Sequence, residues 1–316
     1  MPATQQRDHG GGVDAAARAF GGARCDWLDL STGINPVPFA VPPLDTTGWT
    51  ALPDSNAQTA LITAARRFWD VPPEAGILAV PGASAAIAQM PRLADPARVW
   101  IPAPTYNEHA ASFVAEGWQV TPDPGEVQAS VLVNPNNPDG RLWGAGDAQG
   151  ALRIIDESFC DVTPEATLME EAPRPGTLIL KSFGKFWGLA GLRLGFVIGD
   201  LVLIHRLAQM LGPWPVSGPA LQIGTAALQD PAWAAETRAR LARDARTLDG
   251  VLKTAGATPL GGTSLFRLYD VGNAKGMQTQ LARAQIWSRV FPYNARWLRL
   301  GLPDATGWAR LSKALA

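Results

Sequence analysis

Six short apolar runs separated by helix-length segments limit what this chain can fold into. They are Ile77 to Val80, Val99 to Ile101, Val131 to Val133, Arg153 to Ile155, Leu178 to Leu180 and Phe196 to Ile198. Each is long enough for one buried strand. Helical patterns lie between or after several of them, over Ser55 to Trp69, Ser84 to Leu93, Asn107 to Glu116 and Leu201 to Leu211. A helix after a strand carries the chain back along the sheet, so the alternation predicts an α/β fold with a mainly parallel sheet covered on both faces. Open sheets of this kind bind ligands beyond the carboxyl ends of their strands. Most residues with useful chemistry here follow those runs directly.

At 316 residues the chain has room for two domains. Residues 1–45 read as an irregular N-terminal segment, with Gly10 to Gly12 and a proline-rich run from Pro36 to Pro43. A large domain is expected over 46–235. Ala232 to Ala255 reads as a long amphipathic connecting helix, leading into a smaller C-terminal α/β domain over 236–316. Its elements are expected at Thr263 to Tyr269, Met277 to Ala284 and Trp297 to Leu300.

The net charge of −1 offers no field for nucleic acid or an anionic membrane, so an anionic ligand must be held by local arginines. Cys25 and Cys160 lie in no metal or disulfide motif, and neither a metal site nor a disulfide framework is expected. The N-terminus lacks an apolar signal region, and no window holds 18 uninterrupted apolar residues. A cytoplasmic protein with no membrane partner is the expectation.

The densest chemical signal follows the fifth apolar run. Ser182 and Lys185 come directly after it, and a turn rich in small residues (Gly184, Gly188, Ala190, Gly191) leads to Arg193. A lysine among apolar residues loses hydration, which favours its neutral amine and makes it a nucleophile toward carbonyls. Arg193 can fork onto a phosphate, and Ser182 can donate a hydroxyl to the same group. Together these groups suggest a pyridoxal 5'-phosphate (PLP) site. A Ser-x-x-Lys in such a turn is also compatible with a surface loop, while the missing Gly-x-x-x-x-Gly-Lys-Ser/Thr pattern disfavours a P-loop.

Other run ends ask for the same cofactor. Gly82, Ala83 and Ser84 open a helix whose N–H groups can seat a phosphate, although Ser84 as an ordinary helix cap would read the same way. Asn137 sits in Val133-Asn-Pro-Asn-Asn-Pro-Asp-Gly140, where two prolines stiffen the turn; it can donate to a phenolate, or the motif can be turn chemistry alone. Asp156 closes the fourth run, and a buried carboxylate needs a partner, either a pyridinium nitrogen or a salt bridge. Tyr106 can stack on a planar ring or simply fill the core.

In order and spacing these segments resemble the fold-type I PLP enzymes, the aspartate aminotransferase superfamily. Asn137, Asp156, Ser182, Lys185 and Arg193 match its cofactor residues one by one. The resemblance implies a fold-type I transferase architecture, PLP attached at Lys185, and a homodimer with sites near its interface. Asn-Pro-Asn-Asn-Pro, Asp-Glu-Ser-Phe and Trp297-Leu-Arg-Leu-Gly-Leu302 look like the histidinol-phosphate aminotransferase branch, in which Arg299 matches the position that grips the substrate carboxylate. His9-Gly-Gly11 with Asp29-Leu-Ser-Thr-Gly-Ile-Asn-Pro36 resembles the cobalamin-pathway threonine-phosphate decarboxylases. That likeness implies a small phosphorylated amino acid as substrate, L-threonine O-3-phosphate, decarboxylated to (R)-1-amino-2-propanol O-2-phosphate. It implies catalytic roles for Lys185 and Asp156, and an N-terminal segment that brings His9, Gly10 and Asn35 to the substrate. Arg289 is a further candidate for a phosphate or carboxylate contact, and equally a surface arginine.

Two alternatives stay open at this point. A histidinol-phosphate-like aminotransferase needs the same cofactor residues, and a non-catalytic PLP-binding protein of the same fold is argued against by the intact Lys185, Asp156 and Arg193. Two positions depart from the family pattern. Phe159 stands where aminotransferases often carry a tyrosine that bonds the cofactor phenolate, and Leu52 stands where many relatives carry a tyrosine that reaches the partner subunit's phosphate.

Overall fold

The structure is a computed structural model that describes residues 9–316. Two compact units emerge among the described residues, one of Pro38–Asn137 and Arg141–Arg238, the other of 9–37, Pro138–Gly140 and Ala239–Ala316.

The first unit is built on seven strands: β1 (Gly76–Val80), β2 (Arg98–Trp100), β3 (Gln119–Thr121), β4 (Ala129–Val133), β5 (Leu152–Asp156), β6 (Thr177–Ser182) and β7 (Gly195–Gly199). Their spatial order is β1-β7-β6-β5-β4-β2-β3. Strands β6, β5, β4, β2 and β3 run parallel, as alternation with helices requires. β4 and β5 are buried at every position, which is why both read as unbroken apolar stretches apart from Ser130, Arg153 and Asp156. Helices α1 (Ser55–Phe68), α2 (Ala83–Gln89), α3 (Asn107–Ala115), α4 (Leu201–Leu211) and α5 (Gly218–Leu228) belong to this unit. The Asp54 carboxylate accepts the N–H groups of Asn56 and Ala57 at the start of α1, and Asp200 does the same for α4, so both helices start where a capping acceptor stands. Ile87, Met90, Val99, Phe113, Val131, Ile154, Leu180 and Val197 share one core cluster. Each such side chain contributes about 1.5–3 kcal/mol on burial.

β7 departs from the expected direction and runs antiparallel to both β1 and β6. The connection from β6 carries only one short 3₁₀ turn, Ala190–Leu192. Without a crossover helix the chain turns back at the same end of the sheet. β3 has no apolar run to announce it, because it is a short strand at the sheet edge. α5 was also without a sequence expectation.

The second unit carries four antiparallel strands, β8 (Thr258–Thr263), β9 (Phe266–Asp270), β10 (Arg289–Phe291) and β11 (Asn294–Gly301), in the order β10-β11-β9-β8. The single element expected over Thr263 to Tyr269 is therefore the hinge of a hairpin. Thr263 ends β8, and its hydroxyl accepts the Leu265 N–H at 3.0 Å. Helix α6 (Pro231–Thr254) contains the division between the two units, and α7 (Ala274–Arg283) starts at an Asn273 cap. The N-terminal segment is more regular than expected. Val13–Phe20 is helical, and Leu28–Asp29 pairs in parallel with Ile286–Trp287. Among the described residues, no helix is long and apolar enough to cross a membrane.

Candidate active site

The carboxyl ends of β4, β5 and β6 open onto a cleft of about 120 Å³ within the first unit. Ala83, Ser84, Tyr106, Asn137, Asp156, Ser182, Lys185 and Arg193 all line it. The sheet makes this convergence: Asp156 is the last residue of β5 and Ser182 the last of β6. Asn137 lies four residues beyond β4.

Asp156 is buried at 2% exposure, and each of its oxygens has a donor. Oδ2 lies 2.8 Å from His109 Nε2, while Oδ1 accepts the Ser158 hydroxyl at 2.5 Å and the Ser158 N–H at 3.0 Å. Burial alone raises such a carboxyl, but the bonds and charge from His109 and Ser158 outweigh it and hold Asp156 below the usual carboxylate range. His109 Nδ1 is buried without a hydrogen-bond partner. The ring therefore meets Asp156 through Nε2–H, the donor of that contact. Neither His109 nor Ser158 was among the expected residues. A usable signal existed: Tyr106 and His109 are three apart at the start of α3 and so share a side of the chain.

The asparagines of the β4 loop divide by role. Asn134 donates to the Ala166 carbonyl at 2.7 Å and accepts the Trp143 N–H at 3.1 Å. Asn136 donates to the Pro104 carbonyl at 3.0 Å and accepts the Thr105 hydroxyl at 2.6 Å. Both are buried structural ties, and Asn137 is the amide of the three that lines the cleft. Lys185 Nζ lies 5.1 Å from the centre of the Phe159 ring, so the residue that replaces tyrosine forms an apolar wall beside the amine. Tyr106 stands edge-on to His109 at 6.0 Å.

Ser84, Ser182 and Arg193 supply hydroxyl and guanidinium donors to the cleft. Gly82, rather than Ser84, takes the cap position of α2, which removes the ordinary-cap alternative for Ser84. Gly82 has φ 85°, and a Cβ there would stand 2.6 Å from Arg193 Nη2, so the guanidinium occupies the space that any side chain would need. Arg193 itself adopts φ 54° and donates to the Ala190 carbonyl at 2.8 Å, a strained backbone held in place at a site. A buried ionised carboxylate, an amine, an aromatic wall and a hydroxyl–guanidinium set fit a planar pyridine bearing a carbonyl and a phosphate.

The expected substrate residues of the second unit are placed as follows. Arg299 is 5% exposed, donates to the Ser31 carbonyl at 2.7 Å and packs over the Phe266 ring at 5.0 Å. Burial, then the charge of Arg289, push it down to about 10, against Tyr293 and Asp29. Arg289 sits directly opposite Arg299 on the β10–β11 ladder. Asn35 Oδ1 accepts from Arg240 Nη2 at 2.7 Å and from the Val37 N–H at 3.0 Å. Gly10 packs so closely that a Cβ would stand 2.5 Å from the Ser31 carbonyl, and the Gly11 N–H donates to the Ser31 hydroxyl at 2.6 Å. His9 is exposed.

The aminotransferase class I and II family model matches residues 26–314. A threonine-phosphate decarboxylase of Sinorhizobium sp is 41% identical over 98% of this chain and 97% of its own length. A threonine-phosphate decarboxylase of Pseudomonas aeruginosa is 37% identical over 98% of this chain and 97% of its own. Among solved structures, the histidinol-phosphate aminotransferase of Sinorhizobium meliloti in complex with pyridoxal-5'-phosphate superposes with a TM-score of 0.82. It covers 100% of this chain and 97% of its own at 19% identity, a likeness of fold. With a family match across nearly its whole length and relatives of this identity, the chain belongs to the aminotransferase class I and II family.

Proposed function

We propose that this chain is a PLP-dependent decarboxylase of L-threonine O-3-phosphate, yielding (R)-1-amino-2-propanol O-2-phosphate for cobalamin biosynthesis. The observation that carries the reading is near full-length similarity, at 41% and 37% identity, to two proteins with that name. The cleft supports the cofactor with a full set of holding groups. Lys185 would attach it, Ser84, Ser182 and Arg193 would bind its phosphate, and Asn137 would donate to its phenolate. Tyr106 would face its ring, and Asp156, kept ionised by His109 and Ser158, would pair with its ring nitrogen. Bound PLP supplies an electron sink for the pair released when a bond at Cα breaks.

The rest of the chemistry belongs to the chain's own residues. Arg299 binds the substrate carboxylate with a planar fork, which fixes the direction of the C–COO⁻ bond. Arg289, His9, Gly10 and Asn35 bind the phosphate end. Lys185, in its ammonium form, would deliver a proton to Cα after CO₂ departs. Phe159 keeps a hydroxyl away from the amine, so Asn137 alone serves the phenolate from that side of the cleft.

A homodimer in the cytoplasm completes the reading. Trp49, Leu52 and Trp214 are 69%, 68% and 51% exposed. Gly218 packs against the Gly48 carbonyl, which brings the segment carrying Trp49 beside the turn carrying Trp214. Large apolar side chains gathered on a surface mark an interface.

Product analysis decides between this reading and aminotransfer. Purified protein given PLP and threonine phosphate should release CO₂ and the amino-alcohol phosphate without any 2-oxo acid. Amino-group exchange with histidinol phosphate that needs a 2-oxo acid, and no CO₂ from threonine phosphate, would overturn it.

A further inference from the structure

A buried charged cluster sits among the segments that carry the cleft residues and has no part in the roles assigned above. Asp161, at 4% exposure, is its hub. Its Oδ1 accepts the Trp69 indole N–H at 2.9 Å and lies 3.5 Å from Lys181 Nζ, while Oδ2 accepts the Trp187 indole N–H at 3.2 Å. Its backbone carbonyl accepts Arg238 Nε at 2.7 Å. Lys181 in turn pairs with Glu157 at 2.7 Å. Glu157 accepts the Thr167 hydroxyl at 2.7 Å and the Leu168 N–H at 2.6 Å.

Three members lie within two residues of a cleft residue along the chain. Glu157 follows Asp156, Lys181 precedes Ser182, and Trp187 lies two residues beyond Lys185. Lys185 is bracketed by Phe183 and Trp187, whose rings stack at 5.1 Å and 12°. Trp187 stacks again on Trp233 at 5.2 Å and 11°. Offset stacking has only a modest geometric preference, worth about 0.5–1.5 kcal/mol. A hydrogen bond from the ring edge to a buried carboxylate does have direction, and breaking it leaves a buried charge short of a partner.

We propose that Asp161 is a positioning residue for Lys185, acting through the Trp187 indole. The carboxylate fixes the in-plane orientation of the ring, and with it the backbone that aims the lysine amine into the cleft. This rests on the reading of Lys185 as the PLP attachment point.

Trp187→Phe keeps the stack and loses the N–H. Trp69→Phe removes a bond to the same carboxylate from the end of α1, away from the lysine loop, and so serves as the structural comparison. The readouts are apoprotein thermal unfolding and the pH profile of the borohydride-trapped PLP adduct at Lys185, located by peptide mass. Both variants should lose thermal stability. Trp187→Phe alone should shift the midpoint of the trapping profile, by about one pH unit, and slow trapping about tenfold at neutral pH. Asp161→Asn, which cannot accept from all three donors, should reproduce that shift and gives a second route if Trp187→Phe folds poorly. A wild-type midpoint in Trp187→Phe or in Asp161→Asn, with an adduct still formed, would overturn this proposal alone. Absence of any Lys185 adduct in the wild type would overturn both it and the cofactor reading.

Discussion

Arg289 and Arg299 face each other as direct partners on the antiparallel β10–β11 ladder, two like charges in register. Opposed like charges weaken a sheet, and here one of them is also buried. An incoming carboxylate or phosphate would relieve both costs, as the proposed substrate role of the pair requires.

That relation gives opposite signs for two properties. Arg289→Gln should stabilise the free protein by about 0.2–1 kcal/mol in thermal or urea unfolding, while raising KM for threonine phosphate. Arg299→Lys should raise KM about tenfold or more, because an ammonium cannot fork onto a carboxylate. A drop in stability for Arg289→Gln with unchanged KM would remove the anion role.

His109 should govern the charge of Asp156. Asp156 is held low in the folded state, so its contribution to stability is present above its unfolded value of about 3.9 and is lost as pH falls through the folded value. His109→Phe removes the main opposing influence and leaves burial to raise the carboxyl. Acid unfolding should then begin at higher pH, and PLP affinity should fall by about 1–3 kcal/mol. Urea titrations across pH and PLP titration by absorbance check the two effects separately.

Gly82→Ala should harm the phosphate end of the cleft without touching the lysine. The new Cβ meets a positive φ and the Arg193 guanidinium together. Strain of about 1–3 kcal/mol is expected in unfolding. PLP binding should weaken, with trapping at Lys185 retained at saturating PLP. Unchanged PLP affinity would place the phosphate elsewhere.

Dimer formation should depend on the exposed tryptophans. Wild-type protein is expected at twice the chain mass by light scattering, and Trp49→Asp with Trp214→Asp should give the single-chain mass with helix content unchanged. A monomeric wild type would remove the interface reading.

Much of the site is legible along the chain, because most cleft residues follow an apolar run. A strand buried on both faces leaves few polar positions, so Asp156 stands out against it. His109 does not stand out. It lies 47 residues from Asp156, and the two meet only because β4 alone separates β2 from β5 in the sheet. Asn134 and Asn136 were as eligible as Asn137 by residue type, and only their hydrogen bonds to loops after β2 and β5 distinguish them.

The reversed β7 shows the same limit for the fold. Phe196 to Ile198 reads as a strand from composition, since local chemistry sets the element type. Its direction depends on where the chain can pair after Arg193, which is a property of β1 and β6 together. Most element types, a lysine in a turn of small residues and a turn-held amide are local, and the sequence by itself determined them. The partner of Asp156, the facing of Arg289 and Arg299, and the anchoring of Trp187 on Asp161 were decided only by the tertiary structure. Each is an interaction between side chains distant in the chain, and its energy exists only once the sheets have set their order and register.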